Sequence, residues 1–369
     1  MSAATDLETG IDGQRGKGGD AYRPVRLWLY CVAVLVVLMV LVGGATRLTD
    51  SGLSITEWKP VTGIVPPLGH EAWLTEFEKY QAIPEYQLQN RGMSLAEFQF
   101  IYWWEWGHRF LGRIIGFVFL IPLIVFAVRR RLPPGFGKPL AGLFLLGGLQ
   151  GAIGWWMVAS GLVDRVDVSQ YRLAIHLTMA VSIFAALLYV ADGMKPRPEQ
   201  SPHASRESRT LSLVLFFGAF VQLFLGGLVA GLDAGLSYTT WPLMDGQLIP
   251  SARQLFAIDP WYANFGENPM TVQFVHRIGA YTLLALALIA AFVAARRKEA
   301  QAGSARRLVV DVLIQAAIGI TALTLQVPLW AGLLHQAGAL VVIAGVLRHG
   351  LATGAIKRLT PARVAPAGA

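Results

Sequence analysis

The sequence predicts an all-α polytopic membrane protein: eight transmembrane helices, built as two parallel-repeat four-helix bundles with pseudo-twofold symmetry along the membrane normal. Three observations carry this. Of the 369 residues 54% are apolar and only 15% charged, against roughly 25% charged in a soluble domain. Apolar runs of about 20 residues, the length that crosses a hydrocarbon core, recur eight times along the chain. The second half of the chain also repeats the first.

In chain order the runs lie near 26–48, 109–128, 139–159, 172–192, 210–231, 274–295, 307–327 and 329–350. The stretch before them is polar and mixed in charge, and reads as a disordered tail over 1–25. It does not read as a removable signal peptide, because the first run is of spanning length and no small-residue cleavage site follows it. The expected organisation is a cytoplasmic tail (1–25), an N-terminal four-helix bundle (26–192), a cytoplasmic linker (193–209), a C-terminal four-helix bundle (210–352) and a second tail (353–369). The single Cys31 permits neither a disulfide nor a thiolate cluster within one chain.

A net charge of +8 could suggest nucleic acid, but its distribution argues against that class. Of the 31 Lys and Arg, 21 fall in the two tails and in the loops 129–138, 195–209 and 296–307, counting Arg26 and Arg348 at the adjoining span ends with the tails. All five segments share one side of an eight-pass chain. The positive-inside rule therefore places both termini in the cytoplasm and the long connections 49–100 and 232–270 outside.

The repeat is direct. GGATRLTDSGLSITEWKPVTGIVPP (43–67) lies over GGLVAGLDAGLSYTTWPLMDGQLIP (226–250) with ten of 25 positions identical, among them Asp50/Asp233 and Trp58/Trp241. Further on, GHRFLG (107–112) lies over VHRIGA (275–280), QGAIG (150–154) over QAAIG (315–319), and His176 over His335. Four spans per half return the chain to its starting side, so the halves must be parallel repeats. The GG pairs and GLS segments read as turns at the outer ends of the first and fifth spans.

Seven histidines are present. For His70, His203 and His349 a solvated or capping role is expected. The other four form two pairs, His108/His176 and His276/His335, each member opening an even-numbered span from the outside. Polar rings at matched membrane positions are costly and usually functional. Both helices of a pair run inward, which sets the two rings at one depth, and facing imidazoles across a bundle suit a bis-histidine haem. Zinc would want three or four ligands in one cluster, and no further Cys, Asp or Glu accompanies either pair. Structural histidines hydrogen-bonded between helices are the plain alternative. Gly107, Gly112, Gly116, Gly332 and Gly338 leave room for a flat macrocycle or serve close helix packing. Arg109 and Arg277, each following a histidine, suit propionates or an interfacial anchor.

The halves differ in one telling place. Aligning His108 with His276 sets Glu105 opposite Gln273. Positions i and i+3 share a helix face, so Glu105 should look toward the His108 pocket, against a wall of Trp103, Trp104 and Trp106, and could accept or deliver protons there. The alternative is a carboxylate placed to suit the start of a helix dipole. Arg47 and Arg113 also lack basic counterparts, being matched by Ala230 and Tyr281, which makes the first-half pocket the more charged.

With these residues in place, the chain resembles the haem A synthase family (CtaA in bacteria, Cox15 in mitochondria) over roughly 25–352. The likeness is carried by GGATRLTDSGLSITEWKPVTGIVPPL, EFEKY at 76–80, EWGHRFLGR and the four histidines. The resemblance implies oxidation of the C8 methyl group of haem O to a formyl group, giving haem A for cytochrome c oxidase. It implies that His108 and His176 serve the substrate haem, that Glu105 is catalytic, and that His276 and His335 hold haem B. Some members carry cysteine pairs in the outer loops; this chain has none and is similar to the cysteine-free proteobacterial and mitochondrial-type branch. The expected setting is the bacterial inner membrane, haem sites toward the periplasm, with haem O synthase (protohaem farnesyltransferase) and an electron-transfer protein as partners and a homo-oligomer compatible with the sequence. The competing functions are a dihaem cytochrome b-like electron carrier, which would need haems stacked across the membrane, and a transporter, which would need polar groups near the midplane. Gln150 and Gln315 are the main candidates for the latter.

Overall fold

The computed structural model describes residues 20–196 and 204–360. Eight helices are long and apolar enough to span a membrane: α1 Arg23–Leu48, α2 Leu95–Val128, α3 Gly137–Val158, α4 Gln170–Gly193, α5 Arg206–Gly231, α6 Pro269–Arg296, α7 Ala302–Thr324 and α8 Leu329–Thr353. The chain is a multi-pass, all-helical membrane protein, and the only β pairing among the described residues is an isolated bridge between Met244 and Gln247. Most of the tail expected over 1–25 lies outside the described residues, and the part within them is already helical from Arg23.

Helix ends follow local chemistry. Ser94 opens α2 in a capping box with Glu97, and Asn268 accepts from the Met270 amide ahead of α6, whose first residue is Pro269. These satisfy backbone donors that a helix start leaves open. Beyond α1 and α5 the chain turns at Asp50 and Asp233, both in the left-handed region (φ 46° and 49°). Aspartate tolerates that conformation better than most side chains, which gives a physical reason for the shared Asp in the two halves.

In each half the helices close a ring. Helix α1 packs on α2 and α4, and α3 packs on the same two; α5 to α8 repeat this pattern, and the halves meet through α4–α5, α1–α8 and α4–α8. At α4–α5 the backbones nearly touch: a Cβ on Gly227 would stand 2.7 Å from Ala174 Cα, and one on Gly231 2.6 Å from Gln170 Cα. Small residues permit the close approach on which helix association in lipid depends. One seam breaks the match: α2 and α3 touch much less than α6 and α7 do.

Helix α2 is longer than expected. Its 34 residues reach about 50 Å at 1.5 Å per residue, well beyond the 109–128 run. The added turns are held by protein, not lipid. Phe98, Ile101 and Tyr102 share a buried core with Leu53, Ile55, Tyr80 and Ile83 of the long 49–94 connection, which folds over the outer ends of α1 and α2 through helices His70–Gln81 and Pro84–Leu88. Apolar runs measure hydrocarbon, so an aromatic stripe packed on a polar-edged cap escapes them.

Arg47 ties the halves together. Its guanidinium meets Asp50 at 3.0 Å, Asp167 at 3.6 Å and Asp233, across the junction, at 2.5 Å. It does not enrich a first-half pocket, as the lack of a counterpart suggested, but joins the two repeat-matched aspartates.

Within the outer cap, Glu85 is 3% exposed and its Oε2 has no hydrogen-bond partner. Burial first, then the nearby Glu105 carboxylate, pushes its carboxyl up to about 8. An acid raised above its unfolded value of roughly 4.3 stays protonated in the folded protein. Stability is therefore lost as pH climbs from about 4 to about 8 and is level beyond. Glu85→Gln is accordingly expected to unfold at the same temperature as wild type near pH 4. Near pH 8 it should be the more stable by on the order of a few kcal/mol. Thermal unfolding in detergent across that range would measure it, and a constant offset would refute it.

Candidate functional site

His108, His176, His276 and His335 stand on α2, α4, α6 and α8 and are each half-buried. Three of them lie about two turns inside their helices, and His108 deeper in α2 because that helix starts early.

Each ring rests on a glycine of the preceding helix. A Cβ on Gly43 would lie 2.9 Å from His108 Nε2; on Gly154, 2.8 Å from His176 Cε1; on Gly226, 3.1 Å from His276 Cε1; on Gly319, 2.7 Å from His335 Cε1. Gly43 matches Gly226 in the repeat, and Gly154 matches Gly319. The glycines singled out from sequence are not these seats. Gly107 and Gly116 border open space, while Gly112 faces Met39, Gly332 faces Leu48 and Gly338 faces Gln315.

Three rings are also strapped by a glutamine. Gln150 Nε2 lies 3.1 Å from His176 Nδ1 and donates to the His176 carbonyl at 3.0 Å. Gln315 holds His335 in the same way at 3.1 and 2.9 Å, and Gln222 holds His276 at 3.0 and 2.8 Å. Gln150 and Gln315 are thus histidine partners and not isolated midplane groups. The Oε1 of all three amides is buried and unpaired. An imidazole bound to iron through Nε2 keeps its proton on Nδ1 and needs an acceptor for it. Turned over, each amide would present its unpaired Oε1 to an Nδ1–H, an arrangement that fits a haem in each half. Among the described residues no group of three or more His, Cys, Asp or Glu is gathered for a bare metal ion.

A family model described as COX15-CtaA, cytochrome oxidase assembly protein, matches residues 26–347. The chain belongs to this family. Among similar proteins, the haem A synthase of Mesorhizobium japonicum is 55% identical over 328 residues, 88% of this chain and 89% of the relative. That of Chelativorans sp. is 55% identical over 332 residues (89% and 91%), and that of Brucella ovis 51% over 356 (96% and 98%).

In this COX15-CtaA chain Glu105 is 3% exposed and fully engaged. Its Oε2 accepts from Ser54 Oγ and the Ile55 amide, both at 2.7 Å, and its Oε1 from Arg109 Nη2 at 2.5 Å and Nε at 3.1 Å. Polar groups surround it where a tryptophan wall was expected; Trp103 is 46% exposed and leans on Trp73 instead. Gln273 performs the matching task with opposite polarity. It donates to the carbonyls of Ala234 (2.8 Å) and Tyr238 (3.0 Å) and accepts from Arg277 at 3.0 Å. Both positions pin the segment that follows the preceding helix, and only the first places a carboxylate there.

The two arginines share that duty. Arg109 donates to the carbonyls of Ile55 (2.8 Å) and Glu57 (3.1 Å), and Arg277 to those of Tyr238 (3.1 Å) and Thr240 (2.9 Å). Arg113 donates to the carbonyls of Lys59 and Pro60. Among the described residues three buried guanidinium nitrogens are unpaired: Arg47 Nε and Arg113 Nη1 in the first half and Arg277 Nε in the second. Arg109 and Arg113 line a cavity of about 410 Å3 with Lys59, Tyr102 and Trp106. Glu57 and Glu76 line it too and pair with Lys59, which leaves Arg113 as the cation there without a carboxylate partner, placed to meet an acidic ligand group.

Of the remaining histidines, His70 is exposed at the start of its helix, and His203 lies outside the described residues. His349 is neither solvated nor a cap: it is 2% exposed and bonds Ser304 Oγ at 2.9 Å between α7 and α8. The glycine seats and glutamine straps went unread in the sequence, although QGAIG/QAAIG and the matched GG pairs already carried most of them.

Proposed function

We propose that this chain is a haem A synthase, oxidising the C8 methyl group of haem O to a formyl group by successive hydroxylations to give haem A for cytochrome c oxidase. In this reading His108 and His176 hold the iron of the substrate haem, and His276 and His335 hold haem B, which supplies one-electron chemistry when bound. Glu105 handles the proton beside the substrate, while Arg109 and Arg277 keep the outer segments in place and Arg113 and Arg277 each offer an unpaired guanidinium N–H to propionates. The observation that carries the reading is two matched histidine seats of which only one has a carboxylate a turn away. The relatives' activity supports it, as does the loose α2–α3 seam, through which a haem bearing an isoprenoid tail could reach the lipid. Charge distribution supports an inner-membrane orientation with cytoplasmic termini and haem sites on the periplasmic side. Haem O synthase and an electron-transfer protein are the partners this role calls for.

The test is haem extraction after expression in cells that make haem O but not haem A. Haem A should appear, and His176→Ala should abolish it with haem B retained, whereas His335→Ala should lose haem B. Two stable haem B per chain and no haem A would identify an electron carrier instead.

A further inference from the structure

Three of the four histidines are strapped by glutamine, and His108 is not. The shared GG pairs register α1 on α5, which sets Met39 at the place of Gln222. Its side chain reaches the corresponding turn of α2: Met39 Cε lies 3.4 Å from where a Cβ on Gly112 would stand, four residues beyond His108, while Gln222 packs against Gly279, three residues beyond His276. A thioether cannot donate and accepts weakly, and among the described residues no hydrogen bond reaches the His108 ring. His176, on the opposite side of the same half, has the full strap from Gln150.

A glutamine turned to present its free Oε1 accepts from the Nδ1–H of an iron-bound imidazole, which fixes the ring's orientation and raises its basicity; removing such a partner typically costs 10- to 100-fold in metal affinity. We propose that His108 is the exchangeable iron ligand of the four, with Met39 the positioning residue that makes it so, while His176, His276 and His335 are fixed. This rests on the reading that the first pair holds a haem. It explains how one duplicated scaffold can keep one iron closed by two imidazoles and open the other. The position freed lies on the side of α2, the helix that carries Glu105 one turn before His108.

The experiment uses the full-length, haem-loaded protein, reduced and titrated with carbon monoxide, which binds a bis-histidine haem only by displacing a ligand. His335→Ala protein, lacking the second haem, assigns the signals. In wild type the first-half haem should bind carbon monoxide and the second should not. Met39→Gln should weaken that binding 10- to 100-fold at unchanged haem content, and Gln222→Met should make the second haem reactive. Unchanged affinity in Met39→Gln with both haems in place, or equal affinity at the two sites of wild type, would overturn the proposal. Haem stoichiometry separates the two levels. If His108→Ala and His176→Ala both leave two haems per chain, the parent reading fails, and the ligand assignment with it.

Discussion

Glu105→Gln is expected to reduce haem A formation at least about a hundredfold, on the scale of a lost acid–base group, while the second-half haem stays bound. The two oxygens of Glu105 accept from Ser54, Ile55 and Arg109. An amide has one oxygen, and its NH2 would face the Ile55 amide or the Arg109 guanidinium, which cannot accept, or the Ser54 hydroxyl, which accepts only by turning its own proton away. Removing one partner of a buried ion pair typically costs about 3–5 kcal/mol, so the outer segment around Ser54 and Ile55 should loosen as well. Gln273 is an amide at ease because its segment offers carbonyls. The control is Ser54→Ala, which removes one hydrogen bond from the lock and leaves the carboxylate; it should retain most activity. Haem A at wild-type levels from Glu105→Gln, read by extraction, would reduce Glu105 to a loop anchor.

Gly319→Ala is expected to strip haem B from the second half by tenfold or more, the scale of a displaced supporting contact. The added methyl would stand 2.7 Å from His335 Cε1, closer than packed carbons approach, and the ring would have to swing off the Gln315 strap. Gly154→Ala should act in the same way on the substrate half through His176. The internal control is Gly147→Ala on the same helix as Gly154. It meets nothing within 4 Å and should keep both haems, with helix stability improved by up to about 1 kcal/mol. Equal haem-to-protein ratios in Gly319→Ala and Gly147→Ala would refute the seat.

How much of this was legible in the sequence depends on how far apart the cooperating residues lie. The eight spans were legible because length and apolarity are local properties, and the start of α2 was not because Phe98 and Tyr102 answer to a cap contributed by residues up to about 50 positions earlier. The histidine pairs could be found by laying one half on the other. The straps could not, since Gln222 reaches His276 across 54 residues and a lone amide in an apolar run carries no signature of its partner. Differences between the halves pointed to the right positions but not always to their meaning. Glu105 against Gln273 marked a real contrast of polarity, whereas Arg47 against Ala230 marked a junction whose partner, Asp233, lies 186 residues on.

The Arg47 cluster also bears on biosynthesis. Domains of a growing chain form in the order they are made, and Arg47 is inserted long before Asp233 exists. Its first partners, Asp50 and Asp167, both lie in connections of the first half, so they are synthesised before Asp233 and can hold the guanidinium before it arrives. When the fifth helix emerges, Asp233 arrives at a cation already held in position. The early half thus serves as a template on which the late half docks, and the contact that joins them is the last of the three to form.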